Sequence, residues 1–110
     1  MVVEIFEGSD LVGTGQIYAL DPGMGVATAY FAPTSAYDCE RHANVVDGEY
    51  LGDRTSILTA RLADGGEIIT CNAISIMDFP TLYECEIQLI GIDEPPFADL
   101  FGEHPEYKDY

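Results

Sequence analysis

A mainly β domain, formed as a single curved or barrel-like antiparallel sheet of about five or six strands with one or two short helices, is what this sequence predicts. Three observations carry that expectation. Short runs rich in Val, Ile, Thr, Tyr and Phe alternate in polarity as half-buried strands do. Clusters of Gly, Pro and Asp separate those runs at turn positions. A hydrophobic content of 47% in 110 residues supplies one core and leaves little room for a second, so residues 1–110 are expected to form one domain.

Val2 to Phe6 is a β-branched run closed by Glu7-Gly8-Ser9-Asp10, and it predicts the first strand. Leu11 to Leu20 predicts the second, with Val12, Thr14, Gln16, Tyr18 and Leu20 on one parity and Leu11, Gly13, Gly15, Ile17 and Ala19 on the other. The glycines sharing a face predict bending or close packing there. Asp21-Pro22-Gly23 then predicts a reversal: proline presets φ, glycine takes unusual torsions, and aspartate bonds back to the backbone. Met24 to Phe31 returns as the antiparallel neighbour, sending Tyr30 and Phe31 to opposite faces before Pro33 ends the ladder.

Pro33 to Leu51 is the least regular section. Thr34 or Ser35 is placed to cap a short helix through Tyr37, Cys39, Glu40 and Ala43, which Val45-Val46 and Gly48 keep brief. Ser56 to Leu62 and Glu67 to Met77 read as strands joined by Ala63-Asp64-Gly65-Gly66, favourable hairpin chemistry, and Cys85 to Ile92 extends the meander after Asp78-Phe79-Pro80-Thr81. Residues 93–110 then turn acidic and aromatic. Phe97, Leu100 and Phe101 have the spacing of one helical face, with Pro96 in the first turn and Gly102 at the end. That helix is expected to lid an open end of the sheet. The tail beyond it, with Glu103, Glu106, Tyr107 and Tyr110, either packs locally or docks as an acidic-aromatic peptide on a basic groove.

Twenty acidic side chains against four basic ones give a formal net charge of -16. A body this negative repels phosphate, which argues against direct nucleic-acid binding or attachment to an anionic membrane. Arg41, Arg54, Arg61 and Lys108 are too scattered to line a basic groove beneath base-stacking aromatics. No apolar stretch reaches the roughly 20 residues of a membrane span. Cys39, Cys71 and Cys85 form an odd set with no CxxC pair and no secretory leader ahead of them, which predicts reduced thiols and a cytoplasmic location. Cys71 and Cys85 lie in strand-like runs and are expected to be buried, whereas Cys39 is expected to be the more exposed thiol.

Candidate chemistry is sparse. Asp38, Glu40 and His42 alternate, so an extended backbone would point all three one way as ligands for zinc or manganese, whereas a helix would make them diverge; a solvated acidic loop is the expected outcome. Glu84 and Glu86 share a strand face that Gln88 continues, and as same-strand neighbours they predict an acidic stripe more than an acid–base pair. No serine sits in a G-x-S-x-G elbow, and Gly13-Thr14-Gly15 lies within a strand with no lysine following to balance phosphate. Nothing calls for a cofactor, and the oligomeric state is open. The leading expectation is a non-enzymatic interaction module, such as an inhibitor or immunity-type protein, whose acidic surface recognises a basic protein through Glu84, Glu86, Glu103, Glu106, Tyr107 and Tyr110. The alternatives are a small metal-dependent or carboxylate-based enzyme, a nucleic-acid mimic, and a structural protein adapted to high salt.

Overall fold

The computed structural model describes residues 1–52, 57–102 and 104–108. In chain order the elements are β1 (Val2–Glu7), β2 (Asp10–Asp21), β3 (Val26–Pro33), α1 (Cys39–His42), β4 (Val45–Val46), β5 (Glu49–Tyr50), β6 (Thr59–Leu62), β7 (Ile68–Phe79), β8 (Glu84–Glu94), α2 (Phe97–Phe101) and α3 (Pro105–Lys108). A 3-10 turn at Pro80–Leu82 joins β7 to β8. The strands fall on the alternating runs of the sequence, and β2 departs from strict alternation at two points. The predicted start of a strand at Ser56, like Arg54, lies outside the described residues.

Six strands close into an antiparallel barrel in the order β6-β1-β2-β3-β8-β7, with β7 returning to β6. Because β6 is short, β4 takes over the same edge of β7 further along, pairing in parallel at Val45↔Met77 and Val46↔Asp78. The strand β5 pairs in turn with β4. A six-stranded barrel has a narrow interior, so small residues must alternate with large ones inside it. Ala27, Ala29 and Ala60 accordingly face the same core as Val3, Ile5, Ile17, Phe31, Ile76, Ile87 and Leu89.

The two glycines of β2 are part of that fit. A methyl group on Gly13 would come within 2.6 Å of Phe31 Cε1 and 2.7 Å of the Ala32 carbonyl oxygen, and one on Gly15 would meet Ala29 and Val3 at 3.1 Å. β2 also carries two bulges. The register passes from Ile5↔Gly13 to Phe6↔Leu11, leaving Val12 as the extra residue, and from Ile17↔Ala29 to Ala19↔Thr28, leaving Tyr18 as the other. Each bulge shifts the inward and outward parity by one residue. Leu20 therefore pairs with Ala27 and packs against the core, whereas uninterrupted alternation would have kept it on the Tyr18 face.

The turn chemistry places the hairpins where the sequence predicts them. Gly65 and Gly66 have φ of 85° and 69°, and the Leu62 N–H donates to the Glu67 carbonyl at 2.8 Å. Asp38, not Thr34 or Ser35, caps α1, its Oδ1 accepting the Glu40 N–H at 3.0 Å. Thr34 instead donates its hydroxyl to the Leu11 and Val12 carbonyls, tying the end of β3 to β2. The apolar face of α2 enters the core as its spacing predicts, with Phe101 fully buried and Leu100 nearly so. Cys39, Cys71 and Cys85 are all partly buried against the core, which corrects the expected contrast between an exposed Cys39 and two buried strand thiols. The reason is local: α1 lays Cys39 on the barrel instead of leaving it in a solvated loop. No helix among the described residues is long and apolar enough to cross a membrane.

Candidate functional site

The β3–β8 ladder runs from Ala27↔Leu89 to Tyr30↔Glu86 and goes no further. Beyond that pair the strands part, leaving a groove of about 340 Å3 lined by Tyr30, Phe31, Tyr83, Glu84, Cys85 and Glu86. It lies at the end of the β3–β8 ladder.

Tyr30 points outward and is 58% exposed. The bulge at Tyr18 sets that ring beside it, with centroids 4.1 Å apart and planes 17° from parallel. The Tyr18 hydroxyl donates to Glu86 Oε1 at 2.6 Å. That bond to a carboxylate, followed by partial burial and the nearby charges, pushes the Tyr18 phenol up to about 12. Tyr18 therefore stays protonated and holds both Tyr30 and Glu86 in place.

Across the groove, Tyr83 is 97% exposed and occupies the left-handed backbone region, φ 55°. Its turn is anchored: Asp47 Oδ1 accepts the Thr81 hydroxyl at 2.7 Å and the Thr81 N–H at 3.3 Å, so the β4–β5 turn braces the β7–β8 tip. Glycine suits that backbone at lower cost, so the fold alone gives no reason for tyrosine there. Glu84 is exposed and Glu86 half-buried on the same face of β8. Among the described residues Glu7 forms an ion pair with Arg41, and no cation pairs with Glu84 or Glu86, which keep their charge uncompensated.

A second constellation sits where α1 meets β1. His42 is buried, with Nδ1 accepting the Asp38 N–H at 2.9 Å and Nε2 lying 2.8 Å from Glu7 Oε1. These contacts specify the tautomer with the proton on Nε2. Arg41 closes on the other side of Glu7 with a two-pronged ion pair. Hydrogen bonds from Arg41 and then His42 hold the Glu7 carboxyl down at about 2. Tyr37 stacks on His42 at 5.7 Å and donates its hydroxyl to Asp78 Oδ2 at 2.7 Å. Burial and then that bond push the Tyr37 phenol well above its ordinary range, and burial likewise pushes Cys85 up to about 12.

Asp38, Glu40 and His42 do not converge, because the backbone is helical from Cys39 onward and Asp38 and His42 spend their ligating atoms on capping and on Glu7. Among the described residues no group of three or more metal-ligating side chains assembles. The structure brings Glu84 and Glu86 together with Tyr18, Tyr30 and Tyr83. Tyr107 stands apart from them, partly buried with its ring 6.1 Å from Phe97. Glu106 falls in α3, and Glu103 and Tyr110 lie outside the described residues. Alternation makes the outward Tyr30 legible, but its partnership with Tyr18 depends on a bulge that no turn residue announces. The Glu7–His42 contact joins positions 35 apart and has no sequence signal.

No family model matches the chain, nor does any curated protein or solved structure.

Proposed function

We propose that this protein is a non-enzymatic interaction module that recognises a basic protein, as an inhibitor or immunity-type protein would. The observation that carries the reading is the pair of uncompensated carboxylates, Glu84 and Glu86, beside the exposed Tyr30 ring stacked on Tyr18 in a chain of net charge -16. Acid of this density speeds encounter with a cationic partner, and rigid aromatic rings supply contact area at little entropic cost. His42, the one buried imidazole, has both nitrogens occupied by Asp38 and Glu7, so it presents no free nitrogen to activate a nucleophile. The unpaired Cys39, Cys71 and Cys85 accord with a reducing compartment, and a cytoplasmic location belongs to the same proposal.

Affinity capture from a native lysate at low and moderate salt tests this reading, with the Glu84→Gln/Glu86→Gln variant in parallel. A reproducible basic partner should be retained at low salt, released as salt rises, and retained less by the variant. Failure to recover any basic partner at low salt overturns the proposal.

A further inference from the structure

We infer that the groove between Tyr30 and Tyr83 receives an arginine side chain of the basic partner, an inference that rests on the interaction-module reading and specifies its contact. The guanidinium lies on the open face of Tyr30 and turns its N–H groups toward Glu84 and Glu86. Tyr30 has one ring face covered by Tyr18 at 4.1 Å, yet the residue remains 58% exposed, so its other face is available for stacking. Glu86 has Oε1 engaged by Tyr18, which orients the carboxylate and leaves Oε2 for an incoming donor. Tyr83 forms the opposite wall with a ring that is almost wholly in solvent.

Charge complementarity selects the occupant. Uncompensated carboxylates in a chain of net charge -16 disfavour an anionic ligand, and the same charge opposes a second copy of the chain. The chain's own described guanidiniums are also committed, Arg41 to Glu7 and Arg61 over the Phe6 ring at 5.0 Å. That Arg61–Phe6 contact is the same chemistry formed within the molecule. Arginine fits better than lysine because its planar, weakly hydrated head stacks on a ring while its fork meets carboxylates, whereas an ammonium is a compact charge that keeps its water. The groove, at about 340 Å3, is large enough for a side chain.

Blocked peptides of alternating arginine and glycine, lysine and glycine, and glutamate and glycine provide the test, with affinity by calorimetry at low salt and contacts by NMR of the tyrosine rings. The arginine peptide should bind about 5-fold more tightly than the lysine peptide, shifting the Tyr30 and Tyr83 ring signals, and the glutamate peptide should not bind. Tyr30→Ala should bring the arginine peptide to the affinity of the lysine peptide, and Glu86→Gln should weaken both. Tyr83→Gly suits the left-handed backbone at that position, so it should unfold at the wild-type temperature or above while losing arginine preference. Equal affinity for the arginine and lysine peptides, unchanged by Tyr30→Ala or Tyr83→Gly, overturns the arginine groove and leaves the basic-partner reading standing. Binding of neither cationic peptide overturns both.

Discussion

His42 donates its Nε2–H to the carboxylate of Glu7 across a 2.8 Å contact, and so fastens the helix α1 to the end of strand β1. The ring is buried while Glu7 remains one-quarter exposed, so solvent reaches the carboxylate and not the imidazole. Acid therefore reaches the clasp at Glu7.

Glu7 has an ordinary value of 4.5, which Arg41 and His42 hold down at about 2 in the folded protein. A depressed carboxyl stabilises the fold above the unfolded value, and that contribution is lost as pH falls from about 4.5 through about 2. Glu7→Gln should therefore flatten the acid limb of a stability-against-pH curve in that window, measured by denaturant unfolding. A variant with an unchanged acid limb would show that other carboxylates govern acid unfolding. His42→Leu removes the hydrogen bonds of the buried ring to Asp38 and to the Glu7 carboxylate and should cost about 1–3 kcal/mol at neutral pH.

Gly13→Ala should destabilise the barrel by about 1–3 kcal/mol through overpacking, since the new methyl meets the Phe31 ring and a backbone carbonyl. Phe31→Leu introduced into the same chain should recover part of the loss by relieving the ring contact. Thermal and denaturant unfolding of the single and double variants measure the coupling. Additive effects would mean that the Ala32 carbonyl, not Phe31, sets the limit.

The Gly65 and Gly66 sites have open space where a side chain would project, so substitution there strains the backbone alone. Gly65→Val and Gly66→Val should each cost about 1–2 kcal/mol or more, because both positions are left-handed and valine is β-branched. Equilibrium unfolding checks each variant. Wild-type stability in both would remove the strained-turn argument for this hairpin.

Leu100 is 9% exposed and sits in the core, so Leu100→Ala should cost about 2–5 kcal/mol. Tyr107 is only partly buried against Phe97, and removal of residues 106–110 should cost less than Leu100→Ala without being neutral. Denaturant midpoints of the two variants rank them. A deletion as damaging as Leu100→Ala would make Tyr107 a core residue and end any role for the tail as a detachable peptide.

Much of the barrel is legible in the sequence because its determinants are local. Strand alternation, the Asp21-Pro22-Gly23 reversal and the Asp64-Gly65-Gly66 hairpin each act within a few residues, and the spacing of Phe97, Leu100 and Phe101 is a complete helical face. Glycines at 13 and 15 announce a close approach, although not which ring they admit. The bulges at Val12 and Tyr18 escape such a reading, because an extra residue is defined by its partner strand and not by its own type. Tyr18 thus reaches Glu86, 68 positions away, through a parity change that alternation cannot foresee. The cap of α1 is a narrower case: Thr34, Ser35 and Asp38 all suit a helix N-terminus, and the competing bonds of Thr34 to Leu11 and Val12 decide among them.

Each strand of the barrel wall has a neighbour on both sides, with β4 continuing along β7 where β6 stops, and the outermost strand, β5, is two residues long. Open sheets commonly need charged side chains to deter strand addition by other chains, and a wall in which every strand has two neighbours offers less of that template. Topology thus shares that protective duty with the carboxylates. Charge removed away from the groove should cost the protein little of its resistance to strand-mediated aggregation, and the acids that matter most are those whose loss changes what the molecule holds.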